Sequence, residues 1–251
     1  SYKGLKVYGA EVNLEVLESL KNKKAHFNEN GLNNIVKKVI EDESFSFGKE
    51  INDKNDFDVY FITVGTPLDS NGNPKLDMIK NASSQVAKAM NQDSLVILRS
   101  TVQIGVTREI VKPILDRSGK NYDLAMCPER TLEGNAIEEL SKLPQIIGSD
   151  SQETSERCAS LFNVLTNQTN IISCWEAAEI IKLSDNTFRD VSFAFGNEIA
   201  GVCSTFDVDC YEVIENGKSN YPRTNISLPG LVGGPCLEKD PHIFAFSAAM
   251  K

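Results

Sequence analysis

The feature that most restricts what this chain can become is the rhythm of its apolar residues. Over residues 5–173 they come in short dense runs, at 5–12, 57–64, 94–99, 122–127, 145–148 and 169–173. Stretches with helical spacing lie between them, at 14–20, 31–40, 78–90, 105–115 and 152–165. The run 57–64 is almost continuously apolar, which is the pattern of a parallel strand covered on both faces. Asn13 stands where a helix N-cap is wanted. Strand and helix alternating in this way predict an α/β architecture: a doubly wound, Rossmann-like parallel sheet.

At Trp175 the rhythm changes. From 175 to 206 the apolar residues Ile180, Leu183, Val191, Ala194, Phe195, Ile199 and Val202 recur at helical spacing without a proline. That predicts one helix of roughly 30 residues, long for a globular protein. A Pro- and Gly-rich loop at 221–240 and a short helix at 242–250 follow. The expected division is a sheet domain at 1–173 and the start of a helical domain at 174–251.

With 251 residues the chain can form one large or two smaller domains. No apolar run reaches the ~18 residues of a membrane helix, and residues 1–6 lack the apolar stretch of a signal peptide. A net charge of −9 argues against nucleic acid. Six cysteines without zinc-like spacing read as free thiols of a reducing, cytoplasmic setting, with no metal site.

Several short blocks could carry chemistry. Gly233-Gly234-Pro235-Cys236-Leu237-Glu238-Lys239-Asp240 places a thiol on a loop entering a helix, where the helix N-terminus and Lys239 would favour the thiolate. The plainer reading is a structural cysteine after a turn. Lys182 and Asn186, four apart on the long helix, project from one face and could donate to a developing oxyanion. The alternative is a solvated lysine beside an asparagine. Glu129 and Glu133, just after a strand, could act as bases or be surface acids flanking Arg130. Val64-Gly65-Thr66-Pro67 and Arg99-Ser100-Thr101-Val102 end two strands, where small residues and free amides suit a dinucleotide or form ordinary turns. Glu11 ends the first readable strand, the place of an acid that holds ribose hydroxyls.

In order along the chain, Glu11, GTP, STV, PER-x-x-EG, K-x-x-x-N-T-x-R-D, F-x-NE and GGPCLEKD resemble the UDP-glucose/GDP-mannose dehydrogenase family, from about Val7 to Ala248. The resemblance implies an NAD-dependent enzyme that oxidises the C6 alcohol of a nucleotide sugar to the acid through a cysteine-bound thiohemiacetal and thioester. It makes Cys236 the catalytic thiol and sets Lys182 and Asn186 on the C6 oxygen. Asp240 and Thr101 would assist proton transfer, Glu129 thioester hydrolysis, and Glu133 would be the neighbouring acid. It places Glu11, Gly65, Thr66, Pro67, Ser100, Thr101, Glu133 and Lys239 against NAD. Glu129, Arg130, Lys182, Asn186, Arg223 and Gly233 would face the substrate, Arg223 reaching a sugar in a neighbouring subunit. The long helix, with Phe188, Phe193 and Phe195 on more than one face, implies either a homodimer seam or burial within one subunit.

The sequence departs from the family in lacking the G-x-G-x-x-G turn and its strand before Glu11, and a C-terminal nucleotide-binding domain after the cysteine block. These 251 residues alone are therefore expected to bind NAD poorly and to turn over no substrate. The substrate signal is divided. Pro128-Glu129-Arg130 and Asp240-Pro241 resemble the UDP-N-acetylhexosamine branch, typified by UDP-N-acetylmannosamine, while Glu133-Gly134 and Cys-x-x-Lys-Asp resemble the UDP-glucose branch. The hexosamine branch is the expectation. A one-step 3-hydroxyacid dehydrogenase and a non-catalytic interaction protein are the alternatives.

Overall fold

Five consecutive residues, Ser94 to Leu98, are almost wholly shielded from solvent on both faces, and the rest of the sheet is arranged around them. The structure, a computed structural model, describes residues 4–51 and 56–249. Residues 1–3 of the N-terminal segment and Met250 of the last expected helix lie outside them.

In chain order the elements are β1 (Val7–Ala10), α1 (Leu14–Lys21), α2 (Leu32–Glu41), β2 (Phe45–Gly48), β3 (Val59–Ile62), α3 (Asp77–Ala89) and β4 (Ser94–Leu98). A π-helical turn (Thr107–Val111) then runs into α4 (Lys112–Asp116). After it come β5 (Tyr122–Met126), α5 (Ala136–Lys142), β6 (Gln145–Gly148), α6 (Gln152–Phe162), β7 (Thr169–Ile172), α7 (Trp175–Thr205), α8 (Cys210–Lys218) and α9 (Asp240–Ala249). Pro113, with no amide hydrogen to donate, follows the π-turn, a common cause of such a local widening. Asn13 caps α1 as expected, its side chain accepting from the Glu15 amide at 2.9 Å.

The α/β expectation holds, with three corrections. First, the described strands form two sheets, β1-β2 and β3-β4-β5-β6-β7. Second, the five-stranded sheet is not wholly parallel: β5 and β6 run antiparallel, paired at Met126 and Gly148. Third, β2, α5 and α8 come in addition to the expected elements, while the two helices expected after β1 are both present. Those three elements are short, and among them only Ile214 is buried, so their sequences show no strong apolar period.

Leu95, Ile97, Ala125, Cys127, Ile147, Cys158 and Phe162 form a core cluster between the sheet and α6. All six cysteines are free thiols. The Cys127 and Cys158 sulfurs lie 3.3 Å apart in that core, and burial pushes the Cys127 thiol up.

The chain divides into two compact units. The first comprises residues 1–66, 76–100 and 105–179, and the second 67–75, 101–104 and 180–251. Two loops that end strands, 67–75 and 101–104, thus group with the second unit. Among the described residues no helix is long and apolar enough to cross a membrane.

Candidate active site

In the second unit the site is built on α7. Lys182 and Asn186 lie one turn apart with Leu183 fully buried between them, and they are only 9% and 6% exposed. Most of the lysine side chain is thus shielded by its surroundings. Among the described residues its ammonium has no hydrogen bond or ion pair. Its stem is shielded while the nitrogen itself still reaches solvent, so the ammonium stays hydrated and available to a ligand.

Asn186 donates from Nδ2 to Asp240 Oδ2 at 2.6 Å, and Asp240 is fully buried. The other oxygen, Oδ1, accepts from Lys239 Nζ at 2.7 Å. Lys239, expected to support the thiol, thus spends its ammonium on the neighbouring carboxylate. The Asp240 amide donates to the Cys236 carbonyl at 2.9 Å, and the Lys239 amide to the same oxygen at 3.3 Å. These bonds wind the cysteine block into a turn that feeds α9. Asn186 is thereby tied, through Asp240, to the backbone of Cys236, whose side chain is exposed.

The approach to that turn is fixed by polar contacts. Gly234 has φ of 98°, a left-handed conformation that a side chain would strain, and its amide donates to Glu238 Oε1 at 3.3 Å. Gly233 is exposed just before it. Upstream, the loop is pinned to α7. The Ser192 and Ser227 hydroxyls bond at 2.7 Å, and Asn197 both accepts from the Gly230 amide at 2.9 Å and donates to the Gly230 carbonyl at 3.0 Å. Gly196 permits this approach, since a Cβ there would collide with the Ser227 carbonyl. Arg223 folds back on its own loop, its Nε donating to the Tyr221 hydroxyl at 3.0 Å and its guanidinium over that ring at 4.7 Å.

In the first unit Glu129 is held by Arg99, whose NH2 nitrogen (Nη2) donates to Glu129 Oε2. Its Oε1 accepts from the amides of Arg130 at 2.7 Å and Thr131 at 2.9 Å. Burial pushes this carboxyl up, but the Arg99 guanidinium and the two amides outweigh burial and hold it below the usual range. Arg99 is buried, bonds Gln145 Oε1 at 3.1 Å and lies over the Phe162 ring at 5.1 Å. Glu133 is exposed. The loop behind it is anchored by Glu29, which is 6% exposed and accepts from the amides of Gly134 at 2.7 Å and Ala136 at 3.0 Å.

At the strand ends, the Ser100 hydroxyl donates to the Val64 carbonyl at 2.6 Å, so its hydrogen serves the fold rather than a ligand. Thr66 is buried, whereas Gly65 faces open space that a ligand could enter. Glu11 caps the turn after β1, accepting from the Asn13 amide at 2.7 Å. An acid, an open glycine and hydroxyl residues at the carboxyl ends of parallel strands fit a dinucleotide.

Sequence reasoning passed over one further acid. Glu179 is 1% exposed and accepts from the amides of Gly105 at 2.6 Å and Thr107 at 2.9 Å and from the Thr107 hydroxyl at 2.6 Å. Burial raises its carboxyl to about 7 despite these donors, and nearby Glu176 adds to the rise. Its only signal in the sequence is its place three residues before Lys182.

Residues 1–166 match the model of the UDP-glucose/GDP-mannose dehydrogenase family NAD binding domain, and residues 176–251 match the central domain of the same family. A UDP-N-acetyl-D-mannosamine dehydrogenase of Campylobacter jejuni is 32% identical over 96% of this chain and 62% of its own length. An NDP-N-acetyl-D-galactosaminuronic acid dehydrogenase of Ralstonia nicotianae is 30% identical over 96% of this chain and 59% of its own. The solved UDP-D-ManNAc dehydrogenase of Pyrococcus horikoshii superposes with a TM-score of 0.92 at 30% identity, covering 98% of this chain and 60% of that one. The chain thus spans about three fifths of the length of these relatives. Two family domains matched in order, with relatives of this identity along nearly the whole chain, place it in the UDP-glucose/GDP-mannose dehydrogenase family.

Proposed function

We propose that this chain carries the thiol and oxyanion machinery of an NAD-dependent nucleotide-sugar 6-dehydrogenase acting on a UDP-N-acetylhexosamine. One observation carries this reading: the buried Lys182–Asn186 face of α7, bonded through Asp240 to the turn that presents Cys236. The names of the relatives support the hexosamine choice over glucose.

Glu11, Gly65, Thr66, Pro67 and Thr101 at the strand ends would hold NAD+, which would supply the acceptor for two successive hydrides. After the first oxidation the Cys236 sulfur adds to the C6 aldehyde, forming a C–S bond while the carbonyl pair moves onto oxygen. Lys182 is free to donate to that oxygen. Asn186 can donate its second amide hydrogen, the first being spent on Asp240. Loss of the second hydride from C6 restores the carbonyl as a thioester. Water then adds to this carbon, the C–S bond breaks with the electron pair on sulfur, and the carboxylate leaves with release of a proton. Glu129, kept ionised by Arg99, orients that water, and Asp240 and Thr101 relay protons. Glu133, Arg130, Arg223, Gly233 and Lys239 are assigned to ligand contacts and Ser100 to supporting the turn. The free thiols suit a reducing, cytoplasmic setting.

Phe188, Val191, Phe195 and Val202 are 52–66% exposed and spaced three, four and seven apart along α7. A stripe of this kind suits pairing with a second copy. We assign it to a homodimer, which Phe195→Asp is expected to convert to monomer in light scattering.

The enzymatic test uses the full-length protein with NAD+ and UDP-N-acetylmannosamine, UDP-N-acetylglucosamine or UDP-glucose. Two NADH per sugar are expected, with the best turnover on an N-acetylhexosamine. Cys236→Ala is expected to form no uronate. One NADH per turnover, undiminished in Cys236→Ala, would instead mark a single-step hydroxyacid dehydrogenase.

A further inference from the structure

We propose that Glu179 is a positioning residue for this reaction, a carboxylate clamp that sets the Thr101–Ile104 segment against the Lys182–Asn186 face of α7. The inference rests on the proposed function for its chemistry and on the geometry of Glu179 for its placement.

Glu179, Lys182 and Asn186 stand at i, i+3 and i+7 on one helix, so they share a face. All three are buried, at 1%, 9% and 6% exposure. Glu179 turns its carboxylate onto the Gly105 and Thr107 amides and the Thr107 hydroxyl, across 72 to 74 residues of sequence. The chain passes between the two units at 104/105 and again at 179/180. Glu179 therefore ties together two of those crossing points. The short segment 101–104 adjoins the clamp directly, and its near end is bonded through the Ile104 amide to Ser247 Oγ at 3.2 Å on α9. Thr101 is thus only four residues from an anchored amide, and Lys182 is one helical turn from the anchoring carboxylate.

A surface glutamate would not be arranged in this way. Charging a buried carboxyl is unfavourable, and the three short donors recover part of that cost. The neighbouring charges do not neutralise it: Arg108, beside Thr107, bonds Glu176 at 2.5 Å and Asp150 at 2.6 Å. Among the described residues the Glu179 carboxylate therefore bonds only Gly105 and Thr107, which directly follow the 101–104 segment.

The test compares Glu179→Ala and Glu179→Gln in the full-length enzyme. Glu179→Ala is expected to lower kcat by about 100-fold, the effect of a displacement of roughly 1 Å in reacting groups, with KM for the nucleotide sugar within about threefold of wild type. Glu179→Gln retains an acceptor of the same shape and is expected to restore kcat to within about tenfold. A folded Glu179→Ala with unchanged kcat, or one whose loss lies wholly in KM, overturns the proposal. If Glu179→Ala does not fold, the Gln variant decides. Hydrogen exchange of the Gly105 and Thr107 amides is expected to be about tenfold faster in it than in wild type at pH 8, and equal exchange overturns the clamp. A wild type that oxidises no nucleotide sugar refutes the proposed function alone, since the exchange measurement judges the clamp without turnover.

Discussion

The sheet around β4 and the loop that delivers Cys236 are ordered by different forces. Leu95 to Leu98 are 0–1% exposed and pair with strands on both sides. Their order comes from removing apolar surface from water. Residues 225–234 are largely exposed, and they are held instead by Ser192, Asn197 and Glu238, side chains that bond the loop backbone or a loop hydroxyl. Damage to the first region should register as lost stability, and damage to the second as lost positioning.

The largest effect is expected in the sheet. Ile97→Ala, at a fully buried position, should cost about 3 kcal/mol in chemical denaturation, while the surviving folded enzyme keeps its kcat. A loop substitution that matched this figure would break the contrast.

Glu179, which bonds Gly105 and Thr107, comes next. In the fold its carboxyl is raised to about 7, above the ordinary glutamate value of 4.5. The folded state therefore binds this proton more tightly, and stability is lost as pH rises from about 4.5 through 7. Glu179→Gln carries no such charge. Its stability relative to wild type should improve by roughly 2 kcal/mol between pH 5 and pH 8, as read by urea titration at both values. A flat difference, or one of opposite sign, would show that the three donors outweigh burial.

Gly196→Ala probes the seam between loop and helix. The added methyl meets the Ser227 carbonyl, and a cost of about 1–2 kcal/mol with a larger fall in activity is expected. Smallest in stability is Asn197→Ala, which removes two bonds to Gly230 at a solvent-accessible position. About 1 kcal/mol or less is expected, with a measurable drop in kcat. Equal fractional losses of activity from Asn197→Ala and Ile97→Ala would remove the distinction altogether.

What the sequence revealed follows the same division. The buried strands, the Asn13 cap and the 31-residue helix α7 were legible because each is written in contiguous residues with a clear period. The family was legible because its short motifs keep their order. β2 and α5 were not, since each is brief and has no fully buried residue to set a period. The partners of the site acids were hidden for another reason. Arg99 meets Glu129 across 30 residues, Glu29 meets Gly134 across 105, and Glu179 meets Gly105 across 74. No local pattern records such pairings. Lys182 shows the limit most clearly: its spacing to Asn186 could be read directly, while its burial came only with the packing of α7.

The interleaving of the two units has a practical consequence for protein engineering. The two domain models meet between residues 166 and 176, which invites a single splice there to exchange one half for a homologue's. Such a chimera would inherit residues 67–75 and 101–104 from the parent that did not supply their neighbours, because both loops are threaded into the second unit. A successful swap needs those two inserts transplanted along with the half they accompany.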